Sequence, residues 1–513
     1  MMDALSASTS TASTSTASPR PPHETLRQLS KELGKPMHSA ELARALDARD
    51  PLSAFKQRFL HPRADPQDAS SPPAIYFCGN SLGLQPTTTA AYVQQELDEW
   101  AKRGVEGHFI NASTLGEVEE EEERNGLKGE EEEEKRRTAR HHPWLTTDEN
   151  VHGLSARLVG AKPLEVAVMN GLTVNLHLMM VAFYRPTATR HKILIEAKSF
   201  PSDWYAVESQ LRFHGYDPAS SLLQLAPKPG ESFLRTEDIL ALIESQGDGI
   251  ALVMLSGVQY YTGQLFEIEK ITRAAHAKGC VVGFDLAHAV GNVRLQLHDW
   301  GVDWACWCSY KYLNSGPGGI AGCFVHERHA HNKELPRFAG WWGHSISTRF
   351  DMNQPFDPEP GAFGFRLSNP PVLACATLLA SLKIFEEAGG MEPLVQKSQL
   401  LTAYLEMLLE EEPLLKDHVE ILTPREVHQR GCQLSVRFHW QEEEEKDGKR
   451  KGDQVPVVTR VFDRLTKKGV ICDVRKPDVM RIAPVPLYNS FEEVRSFVSL
   501  LREAVQECLS SGL

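Results

Sequence analysis

Two residues of opposite charge follow neighbouring apolar segments of the sequence. Asp285 ends the segment Val282–Asp285, and Lys311 comes shortly after the next apolar run, Trp304–Cys308. Because the carboxyl ends of neighbouring parallel strands open into one crevice, we expect the two side chains to converge there. Pyridoxal phosphate needs this combination, a lysine for the Schiff base and an acid that keeps the pyridine nitrogen protonated. An isolated Asp or Lys would more often be a solvated surface residue, whereas both of these follow predicted buried strands.

Two short segments could bind the remaining parts of such a cofactor. A phosphate group is commonly bound where a helix begins after a small-residue turn. The segment Asn170–Thr173 supplies a glycine, a hydroxyl group and the start of the helix predicted over residues 174–183. In the segment Phe200–Asp203, the ring of Phe200 could stack on a planar ligand. Each segment alone could equally be a helix cap. The cofactor-binding interpretation of both segments therefore depends on the presence of Lys311.

Other cofactor and metal motifs have less support. The segment Gly316–Ala321 matches the dinucleotide pattern G-x-G-x-x-A, but it contains Pro317 and leads into a predicted strand instead of a helix. We therefore expect a loop after Lys311. The sequence has no P-loop and no H-E-x-x-H motif. Three histidines of one polar stretch have no carboxylate or cysteine at ligand spacing, so we expect surface histidines and no metal site. They are His326, His329 and His331.

The elements that must position these residues alternate in type along the chain. Helical patterns are predicted over residues 87–103, 202–213, 236–244 and 268–278, and short apolar strands over residues 192–196, 250–255, 280–285, 304–308 and 320–325. Strands that are apolar throughout, with helices between them, indicate a mainly parallel sheet covered on both faces. After residue 371 the pattern changes to long helices over 372–387 and 394–411. A mixture of strands and helices follows, which predicts a smaller α+β domain.

Composition and pattern together divide the chain into four segments. Residues 1–22 are rich in Ser, Thr and Ala, and we expect a disordered tail. Residues 23–75 are predicted to be a helical segment that packs with the small domain. The large cofactor-binding domain is predicted over residues 76–365, and the small C-terminal α+β domain over residues 366–513.

Part of the formal net charge of −13 lies in one acidic run. Residues 117–137 hold eleven Glu against five Lys or Arg, and a second charged run spans residues 442–453. Both runs are too polar to bury, so we predict solvated loop insertions, with a regulatory role as the less favoured alternative.

Several classes of partner are not supported by the sequence. There is no basic stripe or RNA-reading motif, so we expect no nucleic acid. The longest apolar stretch, residues 176–184, is much shorter than the roughly 20 residues that span a bilayer, so we expect no membrane partner. Nine cysteines without a disulfide-framework spacing are typical of reduced thiols, which favours a cytoplasmic protein.

Beyond these patterns, the sequence from about Tyr76 to Asn489 resembles the kynureninase family of fold-type-I pyridoxal-phosphate enzymes. The resemblance implies an α/β fold, with a mainly parallel seven-stranded sheet covered by helices in the large domain and a smaller α+β C-terminal domain. The stretches that carry the resemblance are Gly79–Leu84, Leu172–His177, Phe200–Asp203, Gly283–Gly291, Cys306–Asn314, Phe365–Pro371 and Arg481–Asn489. The two charged insertions and the tail depart from the family pattern.

The resemblance also implies roles for single residues. Lys311 would carry the cofactor, Asp285 would pair with its ring nitrogen, and Tyr310 would relay protons. The further cofactor contacts that it implies are Leu172, Thr173, Phe200, Pro201, Ser202, Asp203, Ser256 and His288, with Trp341 and Asn369 reaching in from the second subunit of a homodimer. The implied substrate contacts are Arg481 at the α-carboxylate and His108, Ser368 and Asn369 at the aromatic end.

The activity implied by the resemblance is the hydrolysis of a carbon–carbon bond in a ketone. Kynurenine or 3-hydroxykynurenine would yield anthranilate or 3-hydroxyanthranilate and alanine, a step of tryptophan degradation and NAD biosynthesis. The residues at the aromatic end favour the 3-hydroxy substrate.

Two alternatives stay open at this point. A cysteine desulfurase or related lyase would share the fold and the Asp–Lys pair, but it needs a cysteine in a mobile loop. Cys375 and Cys432 fall in predicted helix and strand instead. A non-catalytic scaffold with the acidic run as its binding element is the other alternative, and it gives no reason for a buried lysine and acid together.

Overall fold

A computed structural model describes residues 20–109, 143–352, 355–439 and 455–510 of the chain. Nearly all of the predicted tail lies outside the described residues, and so do both predicted insertions, residues 117–137 and 442–453. The described α-helices are Pro22–Leu33, Ala40–Asp47, Thr89–Arg103, Glu149–Val159, Leu172–Phe183, Pro201–Phe213, Pro218–Ser221, Thr236–Gln246, Ile268–Ala277, Val372–Glu387, Met391–Glu411, Pro413–His418, Val457–Lys467 and Phe491–Ser510.

A seven-stranded sheet forms the centre of the large domain. Its strands are β4 Val166–Val168, β5 Lys192–Glu196, β6 Leu222–Leu225, β7 Ile250–Ser256, β8 Val281–Asp285, β9 Trp304–Cys308 and β10 Ala321–Val325. They lie in the order β4–β10–β9–β8–β7–β5–β6. Only β10 among them runs antiparallel to its neighbours. The predicted mainly parallel sheet is confirmed.

Both faces of this sheet are covered by side chains and helices. Along β7, Val253 and Leu255 belong to one buried cluster, and Leu252 and Met254 belong to the other. Side chains alternate between the faces of a strand, so burial on both faces explains why β7 is apolar throughout.

A second, antiparallel sheet lies in the C-terminal part of the chain. Its order is β11–β12–β15–β14, and a separate core of apolar residues packs against it. The strands outside the large sheet are β1 Phe59–Leu60, β2 Ile75–Tyr76, β3 Gln85–Pro86, β11 Val419–Ile421, β12 Leu434–Phe438, β13 Val470–Ile471, β14 Asp473–Arg475 and β15 Val479–Ile482.

The N-terminal segment joins this second core. Leu26, Leu42 and Leu46 are buried in it, and β2 pairs in parallel with β13. Helix Val372–Glu387 instead packs on helices Thr89–Arg103 and Glu149–Val159 of the large domain. We therefore propose that this helix belongs to the large domain and that the domain boundary lies after residue 387, whereas the sequence predicted it at residue 366.

Among the residues that the structure describes, no helix combines the length and the apolar composition needed to cross a bilayer.

Candidate active site

A cavity of about 250 Å³ opens at the carboxyl ends of the parallel strands. Glu196, Ser256 and Asp285 are the last residues of β5, β7 and β8, and all three line this cavity. Tyr310 and Lys311, which follow β9, line it as well. The sheet therefore brings the predicted lysine and carboxylate together through the convergence of strand ends. The other lining residues are Gly171, Leu172, Thr173, Val174, Phe200, Ser202, Asp203, Val258, Tyr260, Ala287 and His288.

The amine of Lys311 lies among one imidazole and two aromatic rings. Its Nζ is 3.0 Å from Nε2 of His288 and 5.7 Å from the ring centre of Phe200. Burial, with the charges of Lys311 and Arg481, holds the pKa of His288 well below its ordinary value. A neutral His288 can accept a hydrogen bond from Lys311 through Nε2, while its buried Nδ1 has no partner among the described side chains.

Three buried carboxyl groups line the same cavity as this amine. Oδ1 of Asp285 accepts a hydrogen bond from the backbone N–H of Ala287 at 2.7 Å, and the Asp285 side chain is also hydrogen-bonded to Asp203. Burial raises the pKa of Asp285, and burial together with the charge of Asp285 raises the pKa of Asp203 well above its ordinary value. A hydrogen bond between two carboxyl groups requires a proton on one of them. The third carboxyl group is Glu196, whose pKa is raised by burial.

Hydroxyl groups and a helix start lie at another part of the cavity. Oγ1 of Thr173 and Oγ of Ser202 are 2.7 Å apart, each in the first turn of its helix. The N–H groups of a first helical turn have no acceptor within the helix. Asn170 has a φ of 52° just before the first of these helices, and its side chain donates a hydrogen bond to Asn175 at 2.9 Å. This part of the cavity therefore suits an anion.

Taken together, the lining residues fit pyridoxal phosphate. The amine, the carboxylate, the exposed ring of Phe200 and the hydroxyl pair match its aldehyde, ring nitrogen, ring face and phosphate. Oδ1 of Asp203 is a buried atom without a hydrogen-bond partner, as expected where a polar ligand completes the site.

The loop that carries Lys311 contacts the segment Gly79–Leu84 at the start of the large domain. The N–H of Gly83 donates to the carbonyl of Tyr310 at 2.9 Å. A Cβ atom at Gly83 would lie 2.3 Å from the carbonyl oxygen of Lys311 and 2.2 Å from Oδ1 of Asn314. Only glycine allows this close approach, so Gly83 helps to fix Tyr310 and Lys311.

Tyr310 is half-buried, and burial raises the pKa of its hydroxyl group. The hydroxyl group therefore stays protonated at neutral pH and can donate a proton.

Arg481 lies directly behind the cavity. It is 1% exposed, pairs with Asp473 through Nη2, and donates through Nη1 to the carbonyl of Tyr260 at 2.8 Å. Tyr260 lines the cavity, and its ring meets that of Phe200 edge-on with 5.3 Å between the centres. Nε of Arg481 is buried without a partner among the described side chains.

Six of the predicted site residues, Arg481 among them, do not line the cavity of the single chain. His108 packs edge-on against Trp144, and Trp341 donates through Nε1 to the carbonyl of Arg349 at 3.0 Å. Ser368 and Asn369 are exposed. Pro201, the first residue of its helix, does not line the cavity either.

One of these residues, Trp341, belongs to an exposed aromatic surface that it forms with Phe109 and Phe350. The ring centres are 5.9 Å apart for Phe109 and Phe350 and 5.4 Å apart for Phe350 and Trp341, and all three side chains are more than two-fifths exposed. Such an apolar patch is typical of a surface that is covered by a partner.

Two of the three histidines predicted to lie on the surface without partners are half-buried and paired. Nε2 of His329 is 2.9 Å from Asp303, and Nε2 of His326 is 3.2 Å from the carbonyl oxygen of His298, so the expectation was wrong for both. His298 completes a group of three possible metal ligands with Glu165 and His326. Nδ1 of His326 already accepts the N–H of Arg328 at 3.1 Å, which argues against a ligand role.

Glu196, Val258 and Tyr260 line the cavity but were absent from the sequence-based site. Glu196 ends a strand whose bounds were predicted, so the rule that selected Asp285 would also have found it.

The comparisons with known proteins agree with this geometry. The chain is 52% identical to a kynureninase of Myxococcus xanthus, over 91% of this chain and 98% of that protein. It is 47% identical to the human kynureninase, over 94% of this chain and 96% of that protein. This chain belongs to the kynureninase family. Residues 394–501 also match the family model of the kynureninase C-terminal domain. Kynureninase activity, expected from the resemblance, is supported by these matches.

Solved structures with the same fold come from other enzymes. The cystine C–S lyase C-DES, in a mutant with glycine covalently linked to its PLP cofactor, covers 87% of this chain and 99% of its own with a TM-score of 0.64 and 16% identity. The Escherichia coli cysteine desulfurase CsdA covers 90% of this chain and 98% of its own, with a TM-score of 0.61 and 16% identity. The predicted fold class is confirmed.

The cysteines of this family member do not suit a desulfurase. Cys375 is 2% exposed within its helix, and Cys432 is fully buried just before β12. Only Cys78 among the nine cysteines is not fully buried, and burial raises its pKa to about 12. A thiol with such a pKa is a poor nucleophile at neutral pH.

Proposed function

We propose that this chain is a homodimeric kynureninase that binds pyridoxal phosphate and hydrolyses the Cβ–Cγ bond of L-kynurenine and 3-hydroxy-L-kynurenine. The products are anthranilate or 3-hydroxyanthranilate and L-alanine. The observation that carries the proposal is the meeting of Lys311 and Asp285 in one cavity beside Phe200, in a chain that covers almost the whole length of curated kynureninases.

The cofactor would be held by residues from several strand and helix ends. Lys311 would bind it covalently, Asp285 would accept a hydrogen bond from the protonated ring nitrogen, and Phe200 would stack on the ring. Thr173, Ser202 and the adjoining helix start would bind the phosphate. The remaining contacts would come from Leu172, Pro201, Asp203, Ser256 and His288. When bound, pyridoxal phosphate supplies an electron-accepting ring that stabilises negative charge at the substrate α-carbon.

Lys311 and Tyr310 would move the protons of the reaction. After the substrate amine has displaced it, the Lys311 amine would take the proton from the α-carbon, as a base held beside the neutral His288. Tyr310 would donate to the oxygen of the side-chain ketone while water adds to its carbon. Cleavage of the Cβ–Cγ bond leaves the water oxygen on the aromatic acid. Tyr310 would recover a proton from the hydrate and deliver it to the β-carbon, which completes the methyl group, and Lys311 would return its proton to the α-carbon of alanine.

Arg481 would bind the α-carboxylate of the substrate. Its guanidinium group lies behind Tyr260. Its Nε has no hydrogen-bond partner among the described residues and each Nη carries a second N–H, so a guanidinium fork can bind a carboxylate in two parallel hydrogen bonds.

The second subunit would complete each site. The exposed aromatic surface supports a homodimer in which Trp341 and Asn369 reach the cofactor of the partner. His108, Ser368 and Asn369 would face the aromatic end of the substrate and favour the 3-hydroxy compound.

Subunit mixing tests this arrangement directly. Lys311→Ala and Trp341→Ala homodimers should each be weakly active. If Trp341 of one subunit completes the site with Lys311 of the other, a re-equilibrated mixture should regain about a quarter of wild-type activity, because each mixed dimer holds one intact site. No regain on mixing would mean that both residues serve the same subunit's site.

We further propose a cytoplasmic enzyme of tryptophan degradation and NAD biosynthesis. Eight of the nine cysteines are buried and no disulfide is formed among the described residues, which supports a reducing compartment.

The function is tested with the purified full-length chain. A visible absorbance band after addition of pyridoxal phosphate, followed by release of alanine and 3-hydroxyanthranilate from 3-hydroxykynurenine, is the expected result. Cysteine serves as the control substrate. A band with sulfide release from cysteine and no alanine from 3-hydroxykynurenine would favour a desulfurase, and the absence of any band would favour the scaffold.

A further inference from the structure

Glu196 is a buried carboxyl group in the cavity that the proposed reaction does not use. It is 3% exposed and lines the same cavity as Asp285 and Lys311. Strands β5 and β7 run parallel side by side, so Glu196 and Ser256 end next to each other. Both carboxylate oxygens of Glu196 accept from this one residue, Oε1 from the Ser256 hydroxyl group and Oε2 from the Ser256 N–H at 3.4 Å.

This arrangement fixes the hydrogen-bonding role of Ser256. A serine hydroxyl group has one proton to donate, and here that proton is directed to Glu196. Ser256 therefore presents only its lone pairs to the cavity and must accept from a ligand. A phosphate group, which also accepts, is disfavoured there and would be further repelled by the charge of Glu196. The hydroxyl groups of Thr173 and Ser202 remain the donors for an anion.

Glu196 also adds to an excess of negative charge in the cavity. The groups that face Glu196 are Asp285 from β8, Asp203 from helix Pro201–Phe213, and Tyr260 from the loop after β7. Lys311 is the cation among the cavity-lining residues. After burial and Asp285, the charge of Glu196 contributes to the raised pKa of Asp203. A cationic ring nitrogen in the cavity would relieve this repulsion.

We propose that Glu196 is a positioning residue of the cofactor site, which holds Ser256 as a hydrogen-bond acceptor and whose charge favours the protonated form of the bound cofactor. The inference rests on the proposed function, because it requires pyridoxal phosphate in this cavity.

The test measures the bound cofactor as well as turnover. For the wild-type holoenzyme, the pH midpoint of the visible absorbance is determined first, together with the affinity of the cofactor-free protein for pyridoxal phosphate. If the wild type shows neither a band nor affinity, the proposed function fails before any variant is compared. If it shows both, the variants test Glu196 alone.

Glu196→Gln removes the charge at nearly constant shape. Because a nearby negative charge stabilises the protonated form, its removal should lower the pH midpoint by roughly one unit and weaken cofactor binding about tenfold. Glu196→Asp keeps the charge and should keep the midpoint close to that of the wild type. An unchanged midpoint in Glu196→Gln would overturn the proposal.

A matched control separates this effect from general loss of structure. Glu165 is a glutamate of the same domain, fully buried at the opposite edge of the sheet and hydrogen-bonded to His298 at 2.9 Å. Glu165→Gln should lower the thermal midpoint and leave the pH midpoint unchanged, and an equal pH shift in both variants would overturn the proposal. If Glu196→Gln does not fold, Ser256→Ala replaces it. That variant should lower the pH midpoint by a smaller amount, because it removes a hydrogen bond that favours the ionised Glu196; an unchanged midpoint would contradict the proposal.

Discussion

Asp285 and Asp303 are buried aspartates of the same sheet, Asp285 at the carboxyl-terminal ends of the parallel strands and Asp303 at their amino-terminal ends. Their surroundings differ sharply. Asp303 immediately precedes β9 and accepts from five donors, the N–H of Val282, the rings of His276 and His329, and two nitrogens of Arg328. Asp285 ends β8 and accepts from one backbone N–H and from Asp203.

The two environments move the pKa in opposite directions. Burial alone would raise the pKa of Asp303, but the hydrogen bonds of His276 and His329 and the charge of Arg328 lower it far below its ordinary value. At Asp285, burial prevails and the pKa is raised. The carboxyl group at the amino-terminal ends of the strands is therefore balanced by partners within the protein. At the carboxyl-terminal ends, three carboxyl groups share the single amine of Lys311, and a cationic ligand can offset the remaining negative charge. A carboxyl group with a raised pKa and few donors or cations around it indicates a binding or catalytic role. A carboxyl group whose pKa is lowered by several donors of the protein indicates a role in stability.

The largest effect should come from the amine of Lys311 at the carboxyl-terminal ends of the strands. Lys311→Ala removes both the covalent link to the cofactor and the base, so we expect turnover to fall on the order of 10⁴-fold and the visible absorbance band to disappear. Lys162→Ala is the matched control, since Lys162 lies at the amino-terminal ends in an exposed ion pair with Glu327. Retained turnover in Lys311→Ala, measured as alanine release, would contradict the assignment.

Asp303, at the amino-terminal ends of the strands, should affect the free energy of unfolding and have little effect on turnover. Asp303→Asn leaves Arg328 and two histidines without their shared carboxylate, so we expect the free energy of unfolding to fall by about 3–5 kcal/mol, measured by urea denaturation. The folded variant should retain its turnover per site. Normal stability in this variant would show that the five hydrogen bonds contribute no net stabilisation.

Asp285→Asn should reverse that pattern. The variant loses a carboxyl group whose ionised form is disfavoured by burial, so we expect the cofactor-free protein at neutral pH to unfold with an unchanged or higher free energy, by on the order of 1 kcal/mol. The affinity for pyridoxal phosphate should fall roughly tenfold or more, because the ring nitrogen loses its ion pair. A titration of the cofactor-free variant measures the affinity, and destabilisation with normal affinity would refute the contrast between Asp285 and Asp303.

The sheet and the centre of the site could be predicted because both depend on local pattern. β5 and β9 have the predicted bounds, since strands buried on both faces are apolar from end to end. β4 and β6 were not predicted. β4 has only three residues, and β6 is half-exposed as an outer strand, so its sequence is not apolar throughout. Asp285 and Lys311 were found from one rule, that parallel strands end at the same edge.

The histidine pairs could not be predicted, because they arise from strand register. β9 and β10 are antiparallel, with Trp304 opposite Val325, so Asp303 lies beside His326 and near Arg328 and His329. Spacing along the chain does not reveal this neighbourhood. The positions of Trp341 and Asn369 relative to a cofactor in a second subunit likewise depend on contacts outside the single chain.

The smallest expected effect is a difference in the pH dependence of stability. Because the pKa of Asp303 is lowered in the folded state, its stabilisation is present above the unfolded value of about 3.9 and is lost as the pH falls below it. The pKa values of Asp285 and Asp203 are raised, so the folded state binds more protons above about pH 4, and their contribution to stability falls as the pH rises. Urea denaturation of the cofactor-free protein at several pH values gives the free energy of unfolding as a function of pH. Asp303→Asn should reduce the loss of this free energy below about pH 4, and Asp285→Asn should reduce its decrease as the pH rises above about 4. If both variants altered the same side, the two carboxyl groups would not differ in the way that their surroundings imply.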